Sequence, residues 1–191
     1  MMKKNLMISV LMTIATTVLL GIIYPLVVTG LAQVFFKDKA NGQLIAERGT
    51  IVGSRIIGQS FSGPGYFHSR PSNAGNGYDA ANSAGSQLGP TNKQLVDRVN
   101  AGVASNQPDN PGQPVPVDLV TTSASGLDPD ISPAAAEFQV PRVAKERGTS
   151  EDKVRQLVRA HTQQRQFGFL GEARVNVLEL NLDLDASFPR K

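Results

Sequence analysis

The sequence predicts a single N-terminal transmembrane helix followed by one α/β (α+β) domain, with a small sheet flanked by helices. Two observations lead to this fold class. The run Asn5–Phe36 contains no charged residue and no histidine. The chain beyond it mixes helix-period and strand-period apolar patterns, and its length suits one ordinary domain. We therefore predict a tail over 1–4, a membrane helix over 5–36 and an extracytoplasmic domain over 37–191.

The apolar run is long enough to cross a bilayer, because a spanning helix needs about 20 apolar residues. Backbone polar groups find no partners in lipid, so a helix is the expected structure. The alternative is a cleaved signal peptide, whose apolar core would be only about 7 to 15 residues long and would precede a small-x-small cleavage site. This run instead ends in Val34, Phe35 and Phe36. A retained anchor is therefore favoured.

The charges that flank the helix do not fix its orientation by themselves. Lys3 and Lys4 precede it, and Lys37 and Lys39 follow it. A short basic tail before a first helix favours a cytoplasmic N-terminus. We expect a single-pass membrane protein with its domain on the extracytoplasmic side.

Small residues recur every four positions along the membrane helix, at Ser9, Thr13, Thr17 and Gly21. Such a stripe lets a second helix approach closely. Equally, the hydroxyl groups can bond to carbonyl groups of their own helix. Pro25 removes one backbone donor, which predicts a kink or a loosened turn near Gly21 to Pro25.

Charge and cysteine content exclude several classes of function. The net charge is +3, and it falls to +1 without Lys3 and Lys4. Nucleic acid is therefore not an expected partner. The chain has no cysteine, which excludes disulfides, thiolate zinc sites and cysteine nucleophiles.

Short extended pieces follow the anchor, over 44–45 and 51–57. The segment from Gln59 to Asn92 is rich in Gly, Ser, Asn and Pro, yet contains four aromatic residues. Aromatic side chains can pin a loop by packing, so we expect an ordered irregular loop.

Three helices are expected in the external domain. Thr91 or Asn92 caps the first, with an apolar face of Leu95, Val96, Val99 and Val103. Ser132–Pro133 starts the second, which Pro141 should break near Val140.

Thr149 and Asp152 suggest a capping box for the third helix. Its apolar face would be Val154, Leu157, Val158 and His161, and Glu151 would pair with Arg155.

Two strands are expected in the later part of the chain. The first is Val117–Thr122. The second runs from Val175 to Leu184, where the apolar alternation changes phase near Val177–Leu178. That change suggests a β-bulge or burial on both faces.

Catalytic motifs are largely missing. A Walker-type phosphate loop and a Gly-x-Ser-x-Gly elbow are absent from the sequence, and neither histidine has carboxylates at metal-ligand spacing. Ser83–Gly89 offers a weak phosphate cradle, for which a simple turn is the alternative. One interpretation is a membrane-anchored binding module or hydrolase with Asp128, Asp130 and His68 in one pocket. A turn leading into a helix also explains the aspartates.

Several sequence blocks nevertheless resemble one family, the C subunits of the Kdp potassium-transporting ATPase. The blocks occur in the family's order and cover nearly the whole chain. They are residues 58–61, 66–72, 86–90, 116–121, 125–136 and 171–178.

The resemblance implies an accessory, non-catalytic subunit that assembles or stabilises the complex. The implied partners are a channel-like potassium-binding subunit, a P-type ATPase subunit and a small single-span subunit. The phosphorylated Asp-Lys-Thr-Gly motif belongs to the ATPase subunit, and here Asp38-Lys39 is followed by Ala40. The loop from Gln59 to Pro90 is then a candidate docking surface. Its candidate residues are Gln59, Phe61, Tyr66, Phe67, Arg70, Ser72 and Tyr78. For Tyr66, Phe67 and Tyr78, packing within the loop is the alternative.

The resemblance also implies a catalytic chaperone that binds ATP and raises the nucleotide affinity of the ATPase subunit. No firmly bound cofactor and no metal are expected. The implied nucleotide contacts are Ser83, Gly85, Ser86, Gln87 and Gly89. This role conflicts with an external domain, because ATP is cytoplasmic.

Overall fold

The computed structural model describes residues 2–47 and 49–189, which divide into two compact units at Leu44/Ile45. The first unit is the apolar helix Met2–Phe35, followed by the short helix α3 (Lys37–Ala40). The apolar helix is long and apolar enough to span a membrane, which confirms the predicted candidate span. Its 34 residues measure about 51 Å at 1.5 Å per residue, against a hydrocarbon core of about 30 Å.

The loosened turn predicted near Pro25 is present. The helix consists of α1 (Met2–Val18), a π turn (Leu19–Ile23) and α2 (Tyr24–Phe35). The Tyr24 N–H donates to the Leu19 carbonyl, one residue further back than in an α-helix. Pro25 has no N–H to offer the preceding turn, and the wider π turn absorbs that loss.

The second unit is built on a three-stranded antiparallel sheet in the order β3 (Asp130–Ile131), β5 (Arg174–Asn176) and β4 (Thr162–Gln163). Helices α5 (Pro133–Arg147), α6 (Glu151–His161) and α7 (Val177–Ser187) all contact β5. A separate two-stranded sheet pairs β1 (Leu44–Glu47) with β2 (Thr50–Ser54). The extended pieces predicted over 44–45 and 51–57 are therefore strands, except that the second ends at Ser54 and residues 55–57 form a turn. The predicted small sheet flanked by helices is therefore confirmed.

One apolar core holds these elements together. It joins one face of each of the three helices to β5 and to Phe67 of the loop. Its largest fully buried apolar side chains are Phe67, Ile131, Val140, Val143, Val154, Val175, Val177, Leu180 and Leu184. Burying one such side chain contributes about 1.5–3 kcal/mol.

The helix starts at Asn92 and Ser132 are confirmed. Asn92 Oδ1 accepts from Gln94 N–H at the start of α4 (Lys93–Asn106), and Ser132 Oγ accepts from Ala135 N–H. The expected apolar face of α4 is only half correct, because Val96 and Val103 are exposed.

The predicted break at Pro141 is wrong, because α5 continues from Pro133 to Arg147. Proline inside a helix costs about 3 kcal/mol. Val140, Val143 and Ala144 lie around it and are almost fully buried. Their burial outweighs the lost hydrogen bond.

The capping box predicted at Thr149 is also wrong. The N-cap of α6 is Ser150, and it has no side-chain capping bond. Thr149 instead completes the end of α5, where its N–H donates to Ala144 O after the left-handed Gly148. The predicted α6 face is confirmed, since Val154 and Val158 are buried. Arg155 pairs with Glu151 as expected.

Val117–Thr122 is not a strand. Val117–Leu119 forms a 3₁₀ turn, and Thr121 closes it by donating both its N–H and its Oγ1–H to Val117 O. The consecutive residues Leu119 and Val120 are both buried at the end of this turn.

The long strand predicted from Val175 to Leu184 is wrong beyond Asn176. Strand β5 ends there, and α7 begins at Val177. Asn176 Oδ1 accepts from Glu179 N–H and so caps the helix. The apparent change of phase is the change from strand period to helix period, because Val177, Leu180 and Leu184 share one buried helix face.

Candidate functional site

The segment 55–92 contains no helix or strand, and it includes the irregular loop predicted from Gln59 to Asn92. We call it the central loop. Its backbone is held by side chains from α5 and α7, and its middle part packs against a second irregular segment, residues 121–130. These two sets of contacts define the candidate functional site.

Two buried amide side chains bind the backbone of Phe67 and His68. Asn181 Oδ1 accepts from Phe67 N–H and Asn181 Nδ2 donates to Phe67 O, both at 2.9 Å. Gln139 Oε1 accepts from His68 N–H at 2.7 Å and Gln139 Nε2 donates to His68 O at 3.1 Å. Both amides are only 1% exposed. They satisfy the loop's backbone as a neighbouring strand would, and we call them the amide clamp.

Two arginines of α5 hold the turn just before the clamp. Arg142 donates to the carbonyls of Pro64 and Tyr66 and forms a 2.7 Å salt bridge with Asp109. Arg147 donates to Gly65 O at 2.8 Å, and its guanidinium lies 4.9 Å from the centre of the Tyr66 ring. Charge-assisted bonds to carbonyl oxygens are stronger than neutral ones, so this turn is firmly fixed.

Arg70, Ser72 and Tyr78 join the central loop to the 121–130 segment. Arg70 Nη1 donates to Asp128 Oδ2 at 3.1 Å, and Arg70 Nη2 donates to Thr122 O. Ser72 Oγ donates to Gly126 O at 2.6 Å and accepts from Tyr78 N–H. We call this contact between the two segments the loop junction.

The loop junction is too close for side chains at two glycines. A Cβ on Gly126 would lie 2.5 Å from Ala84 O, and Gly126 also has a φ of 68°. A Cβ on Gly85 would lie 2.8 Å from Ala124 O. Glycine is therefore required for the two backbones to touch.

Two shallow clefts are both lined in part by the Arg70–Asp128 pair. One, of about 510 Å³, is lined mainly by residues 122–129. The other, of about 430 Å³, includes Asp118, Asp130 and Arg174. Burial is the main cause that raises the pKa of Asp130, while Arg174, at 3.0 Å, lowers it. Among the described residues, no three His, Asp or Glu side chains are grouped to hold a metal ion.

His68 does not share these clefts with Asp128 and Asp130. Its Nε2 bonds to Gly63 O at 3.1 Å. Burial, followed by the Arg142 charge, lowers the pKa of His68 below 6.5. Asp128 instead pairs with Arg70 and accepts from Asp130 N–H. The pocket that the hydrolase interpretation requires is therefore not formed by these three residues.

The predicted docking residues contact their own chain. Phe67 is fully buried, and Phe61 packs on Tyr66 with ring centres 5.4 Å apart. Tyr66 also donates to Asp185, and Tyr78 donates to Arg70 O. Gln59 is half-buried and its carbonyl accepts from Ser69. A docking role for this surface stays a prediction.

The predicted nucleotide residues lie at the edge of the loop junction. Ser83 Oγ donates to Ser125 O, and Gly85 packs on Ala124. Gln87 has a left-handed φ of 52°, Ser86 Oγ lies 3.5 Å from Leu88 N, and Gly89 O accepts from Asn92 N–H. These bonds describe an ordered turn, and nucleotide binding there stays a prediction.

In the membrane helix, Ser9 and Thr13 donate to Leu6 O and Ser9 O of their own helix. This is the alternative to a hydroxyl contact with a partner helix. Thr17 lies beside Gly21, and a Cβ on Gly21 would meet only its methyl group, at 3.9 Å. Gly21 is therefore open to a close approach.

Sequence reasoning missed the four residues that hold the central loop, which are Gln139, Asn181, Arg142 and Arg147. For Asn181, the sequence signal for a buried amide is a polar residue within an apolar helix face. Asn181 lies four residues after Val177 and three before Leu184 on α7. The sequence pattern predicts a strand there, and a strand would not place these three residues on one face.

The fold and site together define a class: a protein with one N-terminal helix that could span a membrane and a small α+β domain that carries a braced loop. The family model described as KdpC, the c chain of a K⁺-transporting ATPase, matches residues 6–186. This chain therefore belongs to the KdpC family.

Individual relatives agree. The chain is 70% identical to the potassium-transporting ATPase KdpC subunit of Koribacter versatilis, over 98% of this chain and 97% of the relative. It is 57% identical to the KdpC subunit of Acidobacterium capsulatum, over 95% and 98% of the two chains. It is 52% identical to that of Rhodopseudomonas palustris strain TIE-1, over 99% and 100%.

The first prediction concerns the close approach at the loop junction. We expect Gly126→Ala to lower the free energy of unfolding by about 2–4 kcal/mol, because strain at positive φ adds to a steric clash with the backbone of Ala84. Gly112→Ala is the matched control, since Gly112 has a φ of 84° but open space around it. It should cost only about 1 kcal/mol. Equal losses in chemical denaturation would show that the close approach contributes nothing.

The second prediction concerns pH. The pKa of His68 is lowered in the folded state, so stability from its neutral form is full above pH 6.5 and is lost as the pH falls through the lower folded value. His68→Gln should remove this part of the acid sensitivity in unfolding measured between pH 7.5 and 4.5. His161→Gln, at the other histidine, should leave it in place. An identical pH profile for His68→Gln and the unaltered chain would contradict the prediction.

Proposed function

We propose that this chain, a KdpC subunit of a K⁺-transporting ATPase, acts as an accessory, non-catalytic component that assembles or stabilises the complex. The observation that supports the proposal is that the polar side chains of the loop junction form hydrogen bonds and an ion pair within their own chain. Arg70, Ser72 and Tyr78 bond to carbonyls and to Asp128 of their own chain. Polar side chains that bond within their own chain stabilise the shape of the surface. The hydrolase interpretation is not supported, because His68 does not share a cleft with Asp128 and Asp130.

A braced loop suits a docking role. The amide clamp and the two arginines fix the backbone of the central loop before any partner arrives. Association then costs less conformational entropy than it would for a mobile loop. The proposed partners are the channel-like subunit, the ATPase subunit and the small single-span subunit that the family resemblance implies.

Within the membrane, the proposal assigns partner packing to the small-residue stripe that ends at Gly21. Gly21 lies in the π turn Leu19–Ile23, where the helix is already widened. Small side chains at helix interfaces allow close van der Waals packing, which drives association in lipid.

The third prediction tests this contact. Gly21→Leu should reduce co-purification of the large subunits in mild detergent by roughly tenfold. The leucine side chain would push the two helices apart, and we expect the lost packing to weaken association by about 1–2 kcal/mol. Gly30→Leu is the matched control on the same helix, since Gly30 also has open space and lies off the stripe. Unchanged recovery with Gly21→Leu would count against a helix interface there.

The side of the membrane decides between two further proposals. We propose that the domain lies outside the cytoplasm, because the basic residues Lys3 and Lys4 precede the apolar run of the helix. ATP binding at Ser83–Gly89, which would raise the nucleotide affinity of the ATPase subunit, requires the cytoplasmic side.

The fourth prediction separates these proposals. Protease added to intact cells whose outer membrane has been opened should digest a tag at the C-terminus, whereas a tag at the N-terminus should be protected. That result would support the external domain and remove cytoplasmic ATP as a ligand of Ser83–Gly89. Protection of the C-terminal tag would overturn the proposed orientation and leave the nucleotide role open to a direct binding measurement.

A further inference from the structure

The connection between β4 and β5 carries three large apolar side chains into solvent. Phe167 is 87% exposed, Phe169 is 70% exposed and Leu170 is 47% exposed. We call residues 167–170 the apolar tip. Isolated apolar residues are common on protein surfaces, but two phenylalanines and a leucine within four residues form a patch that needs an explanation.

The apolar tip has an ordered backbone. Gln166 and Leu170 exchange both of their backbone hydrogen bonds at 2.9 Å, and Phe169 N–H donates to Gln166 O. Phe167 adopts a left-handed φ of 54°, which is unusual for a bulky residue. The fold therefore presents these rings outward at a defined position, adjoining strand β5, whose Val175 is fully buried.

The rim of the tip is polar and electrically neutral. In the chain segments that flank the tip, 163–166 and 171–173, Arg165 is paired with Glu172 at 2.5 Å, and the other polar side chains are the amides of Gln163, Gln164 and Gln166. Loops that bind lipid surfaces combine apolar tips with unpaired basic residues that attract anionic headgroups. Aromatic residues inside a neutral polar rim are instead typical of protein interfaces. The composition favours a protein partner over a lipid surface.

The size of the patch limits which protein it can bind. An aromatic side chain buries about 150–250 Å², so the tip offers on the order of 400 Å². A stable interface needs about 800 Å² from each partner. The tip is therefore too small to hold a second copy of this chain. A contact of this size is useful when the membrane helix already holds the chain beside a partner. The second contact then benefits from a high effective concentration.

We propose that the apolar tip inserts into an apolar pocket on another subunit of the potassium-transporting ATPase. This inference rests on the proposed accessory function and adds a specific contact to it. Phe167 and Phe169 are the anchoring side chains, and the glutamine amides form hydrogen bonds at the edge of the pocket. The tip would be a contact separate from both the central loop and the helix stripe.

The first experiment compares co-purification of the large subunits by the full chain in mild detergent. The double substitution Phe167→Ser with Phe169→Ser should reduce recovery by on the order of tenfold or more, the effect of removing an interface anchor. Val117→Ser is the matched control, because Val117 is 64% exposed and apolar but lies on the 3₁₀ turn instead of the tip. The variants should unfold at the same temperature as the unaltered chain, since the substituted side chains lie mostly in solvent.

The second experiment identifies the occupant directly. Phe167→p-benzoylphenylalanine in the full chain, irradiated within the assembled complex, should form a crosslink to another protein subunit. A crosslink to lipid or to a second copy of this chain would overturn the inference, as would undiminished recovery with the double substitution. If the unaltered chain recovered no large subunit, the proposed function itself would fail, which distinguishes that failure from failure of the tip alone.

Discussion

The binding of the Phe67–His68 backbone by Asn181 and Gln139 is the constraint on which the rest of the domain depends. The clamp places an irregular segment inside a core that is otherwise built from helices and strands, and without the clamp the backbone groups of Phe67 would be buried and unpaired. An unsatisfied buried polar group costs about 1–3 kcal/mol. Because the two amides come from α5 and α7, the clamp also fixes those helices relative to the loop. Arg142 and Arg147 extend the same arrangement to the preceding turn.

From this anchoring point the central loop reaches the 121–130 segment. Arg70 and Ser72 follow Phe67 by three and five residues. Fixing the backbone of Phe67 therefore positions both side chains at the loop junction. The glycines at the junction permit close contact between two backbones, and the Arg70–Asp128 pair lines part of two shallow clefts. The polar residues of this region stabilise one another, and the result is a rigid surface of defined shape. Such a surface fits an accessory subunit of a transport complex.

Three surfaces are proposed to contact larger partners: the small-residue stripe of the membrane helix, the central loop and the apolar tip. In this proposal the membrane helix keeps the domain close to the complex, and that raises the effective concentration for weak contacts at the other two surfaces. The tip differs from the central loop in the exposure of its aromatic side chains. Phe167 and Phe169 face solvent, whereas Phe67 and Tyr66 pack within their own domain.

The sequence by itself determined the membrane helix, its loosened turn before Pro25 and the capped starts of α4 and α5, because each depends on residues that are close together in the chain. It also determined the family resemblance, because that rests on sequence blocks alone. Tertiary structure decided the rest. Pro141 stays inside α5 because buried neighbours on both sides outweigh one lost hydrogen bond. The segment after Asn176 is a helix because the surrounding elements bury Val177, Leu180 and Leu184 on one face. The clamp joins residues 71 and 114 positions apart, and no local pattern specifies which buried amide meets which backbone group.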